Sequence, residues 1–257
     1  MGILNLSPDS FSGDGLGDDV EAAVARAKRL VDDGADIIDI GGESTRPGAQ
    51  PVSVDEELRR VIPIIKRLAG ELLVPLSIDT YKSAVASRAV KAGARMINDV
   101  WGLRQDPQLA RVAAEAGVPI ILVSNQRDIA CRDIVTEVIS SLEESIKQAM
   151  EAGVTCENII IDPGIGFGKS AGQNLEIIHR LGEFRVLGRP ILLGTSRKST
   201  IGVVLDVPPS QRLEGTAATV AIGIANGADI VRVHDVRQMV RVCRMSDAII
   251  RRRQVGD

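Results

Sequence analysis

Residues 34–42 read GADIIDIGG, and the same grammar returns at 93–100 (GARMINDV), 117–124 (GVPIILVS), 153–164 (GVTCENIIIDPG) and 227–235 (GADIVRVHD). Each time an amphipathic stretch ends in Gly, a small or branched residue follows, and a short apolar run closes on a polar residue. Glycine suits the left-handed position just past a helix C-terminus. A Val/Ile-rich run without clean alternation suits a strand buried on both faces. The five junctions therefore read as helix-to-strand joints of a parallel sheet.

Working outward, the runs Ile3–Leu4, Val74–Ile78 and Pro190–Leu193 bring the strands to eight. Helical patterns lie between them, among them 19–32, 54–68, 133–151 and 212–226. Eight strands alternating with helices over 257 residues predict an α/β chain folded as a TIM (β/α)8 barrel, a single domain spanning 1–257. An open doubly wound sheet built from the same unit is the alternative. No linker or low-complexity segment marks a domain boundary.

The composition, 25% charged and 44% hydrophobic, excludes a disordered, collagen-like or disulfide-built chain. With one Trp, one Tyr and three Phe, the core must be aliphatic. Thirty-one basic against 34 acidic residues give a net charge of -3, without the basic excess of a nucleic-acid footprint, so no nucleic-acid partner is expected. Cys131, Cys156 and Cys243 stand far apart and in odd number, as reduced thiols do. The longest apolar runs, such as Val118–Val123, fall far short of the roughly 20 residues of a membrane span. No membrane association and a cytoplasmic location are the expectation.

Ligands of α/β barrels and open α/β sheets bind at the carboxyl ends of the strands. Here those ends carry Asn5, Asp39, Asp79, Asn98 with Asp99, Ser124 with Asn125, Asp162, Thr195 with Ser196, and Arg232 with His234. Any one could be a helix cap, but together they outline a polar pocket. Arg232 and His234 share one face of the last strand, and two converging cationic donors suit an anion such as phosphate or diphosphate. The plainer reading for Arg232 is an ion pair with nearby Asp229 or Asp235. His179, on a polar helix face, reads as solvated. DPGIGFGK (162–169) places Gly164, Gly166 and Gly168 where backbone must come close to something, but its spacing matches neither common nucleotide cradle. GTSRKS (194–199) follows strand seven, where barrels often bind anions. Segments 5–15 and 41–51 have the turn chemistry of mobile lids. With two His and no His/Cys cluster, a zinc site is not expected, and no nucleophile elbow supports a Ser-His-Asp triad.

The strings MGILNLSPDSFS, DIGGESTRPGA, SIDTYK, INDVWG, DPGIGFGK, GTSRKS and RVHDV, in this order, resemble the dihydropteroate synthases from Met1 to about Ile250. The resemblance implies a TIM-barrel homodimer that joins 4-aminobenzoate to 6-hydroxymethyl-7,8-dihydropterin diphosphate, releasing diphosphate and 7,8-dihydropteroate for folate synthesis. It implies catalytic roles for Asp79, Asp162, Lys198, Arg232 and His234. Pterin would lie among Asp79, Asn98, Val100, Val123, Asp162, Gly166, Phe167 and Lys198. Diphosphate would meet Asn5, Arg232 and His234, with Asn5 also a ligand of the cofactor Mg²⁺. Phe11, Thr45, Arg46, Pro47 and Ser196 would meet 4-aminobenzoate. Two positions depart from the family's habit: Val123-Ser124 stands where a Met-His pair is usual, and Thr200 where an aromatic residue is common. A pterin-dependent methyltransferase domain or a non-catalytic pterin-binding paralogue are the alternatives; Lys198 and the TRPGA segment argue against the first.

Overall fold

The computed structural model describes residues 1–7, 19–44, 49–126 and 133–251. Among these residues eight short strands alternate with helices: β1 Gly2–Asn5, β2 Ile38–Gly41, β3 Leu76–Asp79, β4 Met96–Asp99, β5 Ile120–Val123, β6 Ile159–Asp162, β7 Leu192–Leu193 and β8 Ile230–Val231. The intervening helices are α1 Val20–Asp32, α2 Val54–Glu71, α3 Ser83–Ala92, α4 Gln108–Ala116, α5 Ile134–Glu151, α6 Ala171–His179, α7 Ser199–Leu205, α8 Leu213–Ala225 and α9 Val236–Ile250. All neighbouring strands run parallel, β1 to β6 in sequence order and β7 beside β8. Bridges from Ile161 to Ile191 and from Gly2 to Val233 join the two groups into a ring. The sheet is closed, as a barrel rather than an open doubly wound sheet.

Local signals explain the boundaries. Asp19 accepts from the Ala22 amide and Ser53 from that of Glu56, each satisfying an orphan donor of a first turn. Ser170 and Gln173 form a capping box at the start of α6. The five junction glycines, Gly34, Gly93, Gly117, Gly153 and Gly227, all have positive φ. His179 ends α6 exposed, as its polar face implied.

Strand alternation sorts the apolar residues into two layers. Side chains such as Leu4, Ile38, Ile40, Ile78, Ile97, Leu122, Ile161 and Leu193 form the larger core beneath the helices. A smaller cluster of Met1, Met96, Ile121, Val123, Ile160 and Leu192, with Ile37, Phe167 and Ile230 against it, is separate. Two residues beyond Ile37, Met96, Ile160 and Ile230 stand Asp39, Asn98, Asp162 and Arg232. By the period of two, these share the inward face with the residues before them, so an apolar floor underlies a polar layer at the carboxyl ends of the strands.

The loop after β6 shows how tightly that layer is built. Gly164 has φ +73°, and a Cβ there would lie 1.9 Å from the Ser124 carbonyl oxygen. Gly172, inside α6, has open space around it. Gly164→Ala should therefore destabilise the fold by about 3 kcal/mol, from a left-handed backbone plus a backbone clash, lowering the thermal midpoint by roughly 6–12 °C. Gly172→Ala should be neutral or mildly stabilising. Thermal melts of the two variants test this, and equal midpoints would contradict it.

Candidate active site

Asp39, in β2, is fully buried with 0% exposure. Its Oδ2 accepts from Arg232 Nε at 2.6 Å and from Asn98 Nδ2 at 3.0 Å. Asp79, the last residue of β3, accepts from Arg232 Nη2 at 2.7 Å. The ion pairs of Arg232 thus run to β2 and β3, not to its sequence neighbours. Asp235 is bound by Arg197 at 2.5 and 2.9 Å, and Asp229 accepts from the Ile191 amide. Three oxygens around this cluster, Asp39 Oδ1, Asp79 Oδ1 and Asn98 Oδ1, are buried without a hydrogen-bond partner among the described residues.

Burial pushes the Asp79 carboxyl up to about 7, opposed by Arg232 and reinforced by the Asp39 charge. Asp162, the last residue of β6, is also raised by burial, against the pull of Lys198. Its Oδ1 accepts from the Gly164 amide at 2.7 Å. For Arg232, burial works against the cation, but Asp39 and Asp79 outweigh it and hold the guanidinium above its usual range. Several carboxylates around one cation form a basin rich in acceptors, which suits a planar ligand rich in N–H donors.

The glycine-rich loop and the loop after β7 form one wall. Lys198 Nζ donates to the Ile165 carbonyl and lies 4.4 Å from the centroid of the Phe167 ring. Its stem packs on Gly166, where a Cβ would be 3.0 Å from Lys198 Cδ. Asn174 accepts from the Gly166 amide and donates to Thr200 Oγ1, so Thr200 serves as a buried acceptor. On the anion side, Ser196 Oγ lies 2.9 Å from His234 Nδ1 and accepts from the His234 amide at 3.2 Å. Asn5 ends β1, half-buried, beside Gly41: a Cβ on Gly41 would stand 3.7 Å from Asp79 Oδ2 and 3.9 Å from Asn5 Oδ1. The missing side chain leaves space beside both oxygens.

Val123 is buried with Phe167 in the barrel floor, and Val100 is buried just after β4. Ser124 Oγ accepts from Gln126 Nε2. Phe11, Thr45, Arg46 and Pro47, with residues 8–15 of the first proposed lid and 45–48 of the second, and Cys131 lie outside the described residues.

Other polar groups carry weight the motifs did not assign. Lys169 Nζ donates to the carbonyls of Ser124 (2.7 Å) and Gly164 (3.0 Å), stapling the glycine-rich loop to the end of β5. Lys82 Nζ donates to Glu57 Oε2 at 2.6 Å, to the Val52 carbonyl at 2.9 Å and to Glu43, holding both ends of segment 43–52. Asp99, pushed up to about 6 by burial, accepts from the Trp101 and Leu103 amides and shapes the turn after β4. A carboxylate two or three residues before a glycine, as in INDVWG, is a recognisable turn signal for Asp99. Lys82 and Lys169 have no comparable local signature.

Among the described residues no helix is long and apolar enough to cross a membrane. The family model described as pterin binding enzyme matches residues 1–234. The dihydropteroate synthase of Bacillus subtilis strain 168 is 56% identical over 250 residues, covering 97% of this chain and 88% of that protein. The crystal structure of a Clostridium difficile dihydropteroate synthase determined in the presence of pteroic acid superposes with a TM-score of 0.93 at 54% identity, covering 98% of this chain and 96% of the other. That of the Xanthomonas albilineans enzyme with 4-aminobenzoic acid gives 0.91 at 46%, covering 97% and 92%. The chain belongs to the pterin binding enzyme family and, within it, to the dihydropteroate synthases, transferases of folate biosynthesis.

Proposed function

We propose that the chain condenses 6-hydroxymethyl-7,8-dihydropterin diphosphate with 4-aminobenzoate by a dissociative route, with the pterin seated on the acceptor basin of β2 to β6. The observation that carries this reading is the set of buried, partnerless oxygens on Asp79 and Asn98 beside Asp162. A pterin presents a guanidine-like edge of N–H donors, which supplies what those acceptors lack. Lys198 serves the ring carbonyl side, Phe167, Gly166, Val100 and Val123 line the ring, and Arg232, His234 and Asn5 face the diphosphate. Phe11, Thr45, Arg46, Pro47 and Ser196 are proposed for the aminobenzoate.

As the exocyclic C–O bond breaks, its electron pair leaves with diphosphate and the methylene carbon becomes a cation delocalised into the pterin. The arylamine nitrogen then bonds to that carbon and its proton passes to solvent. Arg232 and His234 bind the charge that grows on the leaving group, so they contribute more in the transition state than in the ground state. No nucleophilic side chain is needed. The site's donor set fits Mg²⁺: Asn5 offers one hard oxygen at the open mouth, and Mg²⁺ typically keeps waters and substrate phosphates as its other ligands. When bound it would neutralise diphosphate oxygens.

We extend the reading to a cytoplasmic homodimer of one pterin-binding barrel domain. Val203, Val204, Leu205, Ile222, Met245 and Ile249 are exposed on α7, α8 and α9, which supports an apolar interface.

Three outcomes follow from these assignments. Asp162→Asn should nearly abolish pterin binding with the fold intact, because a charge-assisted hydrogen bond of about 1.5–3 kcal/mol is lost and a donor faces a donor. Calorimetry with unchanged affinity would remove Asp162 from the site. Arg232→Ala and His234→Ala should weaken binding of the pterin diphosphate far more than binding of a pterin without diphosphate, and should slow diphosphate release. Equal losses for both ligands would make these residues structural.

The third outcome concerns pH. Asp79 accepts a charge-assisted hydrogen bond from the ligand only when ionised, and burial pushes its carboxyl up to about 7. Below that pH the proton must leave before binding, so affinity should fall by up to about tenfold per pH unit. The same shift acts on stability: a folded-state pKa above the unfolded value means that this group's contribution decreases as pH rises through the window from about 4 to 7. Asp79→Asn should flatten the affinity profile near pH 7, and a wild-type profile already flat there would contradict the role.

A further inference from the structure

Asp39 has no ligand in the reading above, yet it is the most enclosed charge of the basin. Its register explains where it sits. Asp39 lies level with Ile3 and Ser77, whereas Asp79 lies level with Gly41 and Asn98. Asp39 is thus one inward-facing layer below Asp79, on the floor side of the pocket. From there its single Oδ2 reaches Asn98 of β4 and Arg232 beyond β8. In the closed ring β4 and β8 are four strands apart, on opposite walls of the barrel. One carboxylate oxygen therefore spans the pocket from beneath.

The guanidinium has two anchors of different character. Asp39 holds Nε and Asp79 holds Nη2, so one edge of the fork is occupied, and Nη1 carries no hydrogen bond among the described residues. Asp79 has a competing use, because its oxygens also face the proposed pterin edge. Asp39 lies below that contest. A buried guanidinium with only Asp79 to hold it would have to follow whichever ligand Asp79 takes. We propose that Asp39 is a positioning residue that fixes Arg232, with its unoccupied edge towards the diphosphate, and Asn98, towards the pterin, across the barrel from one another. This rests on the assignment of Arg232 to diphosphate made above, and deepens it.

The test compares the affinity for the pterin diphosphate with that for the same pterin lacking diphosphate, by calorimetry, and takes the ratio as the diphosphate preference. Asp39→Asn keeps the size of the side chain and leaves Arg232 among Asp79 and Asp162. It should lower the preference by at least about tenfold. In an Arg232→Gln background the same substitution should lower it no further, since the group being positioned is gone. Arg232→Lys, which keeps the charge but lacks the fork, should lose the preference almost as fully as Arg232→Gln, and this variant decides the matter should Asp39→Asn fail to fold. An unchanged preference in Asp39→Asn, additive losses in the double variant, or full preference in Arg232→Lys would each overturn the proposal. If Arg232→Gln itself keeps the preference, the diphosphate assignment falls and the positioning role with it, an outcome distinct from loss at Arg232 without loss at Asp39.

Discussion

Arg232 stands at the carboxyl ends of the barrel strands with Asp39 and Asp79 bonded to it and the Asp162 charge close enough to act on it. Removing a carboxylate from water costs several kcal/mol unless a counter-charge and hydrogen bonds replace the solvent. One guanidinium cannot satisfy three such groups, and the Asp79 and Asp162 carboxyls are both displaced towards their neutral forms. The ligand-free site is therefore under electrostatic stress that the rest of the fold must overcome. The two apolar layers do so: the site sits on a floor of packed Met, Ile and Leu side chains and inside a continuous aliphatic shell beneath the helices. A donor-rich ligand would relieve the stress, which is how local instability becomes binding affinity.

The same alternation explains why so much was legible in the sequence. A strand buried on both faces must be apolar along its length, and only its final inward residue can be polar without entering the floor. Hence the junction that begins at Gly34 and ends at Asp39 announces a helix end, a strand and a site position in six letters. All eight strands and the four named helical stretches lie where the pattern put them, to within a few residues at each end. The site positions follow from topology alone, because ring closure brings every carboxyl end to one mouth.

What was not legible is pairing at long range. Arg232 and Asp39 are separated by 193 positions, and local spacing offered only Asp229 or Asp235 as ion-pair partners for the guanidinium. Those two are engaged elsewhere, one on a backbone amide and one on Arg197. Lys169 and Lys82 escaped for the same reason: each is a cation whose acceptors, carbonyls of other loops or carboxylates of α2 and of the loop after β2, meet only in the folded chain. The polar residue at a strand end can be read from sequence, but its counter-charge cannot.

That distinction bears on how catalysis without a nucleophile can work. Electrostatic stabilisation is effective when dipoles and charges are fixed before reaction, so that none of the reaction's free energy is spent orienting them. Most of the groups assigned to pterin and diphosphate are borne by or next to strands hydrogen-bonded to their neighbours in the ring, and Lys169 staples one of the two loops among them, the glycine-rich one. Arg232 draws further support from side chains, since β8 is only two residues long and Arg232 follows it. A long flexible cation at the end of one of the two shortest strands would be among the least fixed groups of the site. Two carboxylates on its Nε and Nη2 convert it into one of the most constrained, which is why two acidic side chains share one cation there.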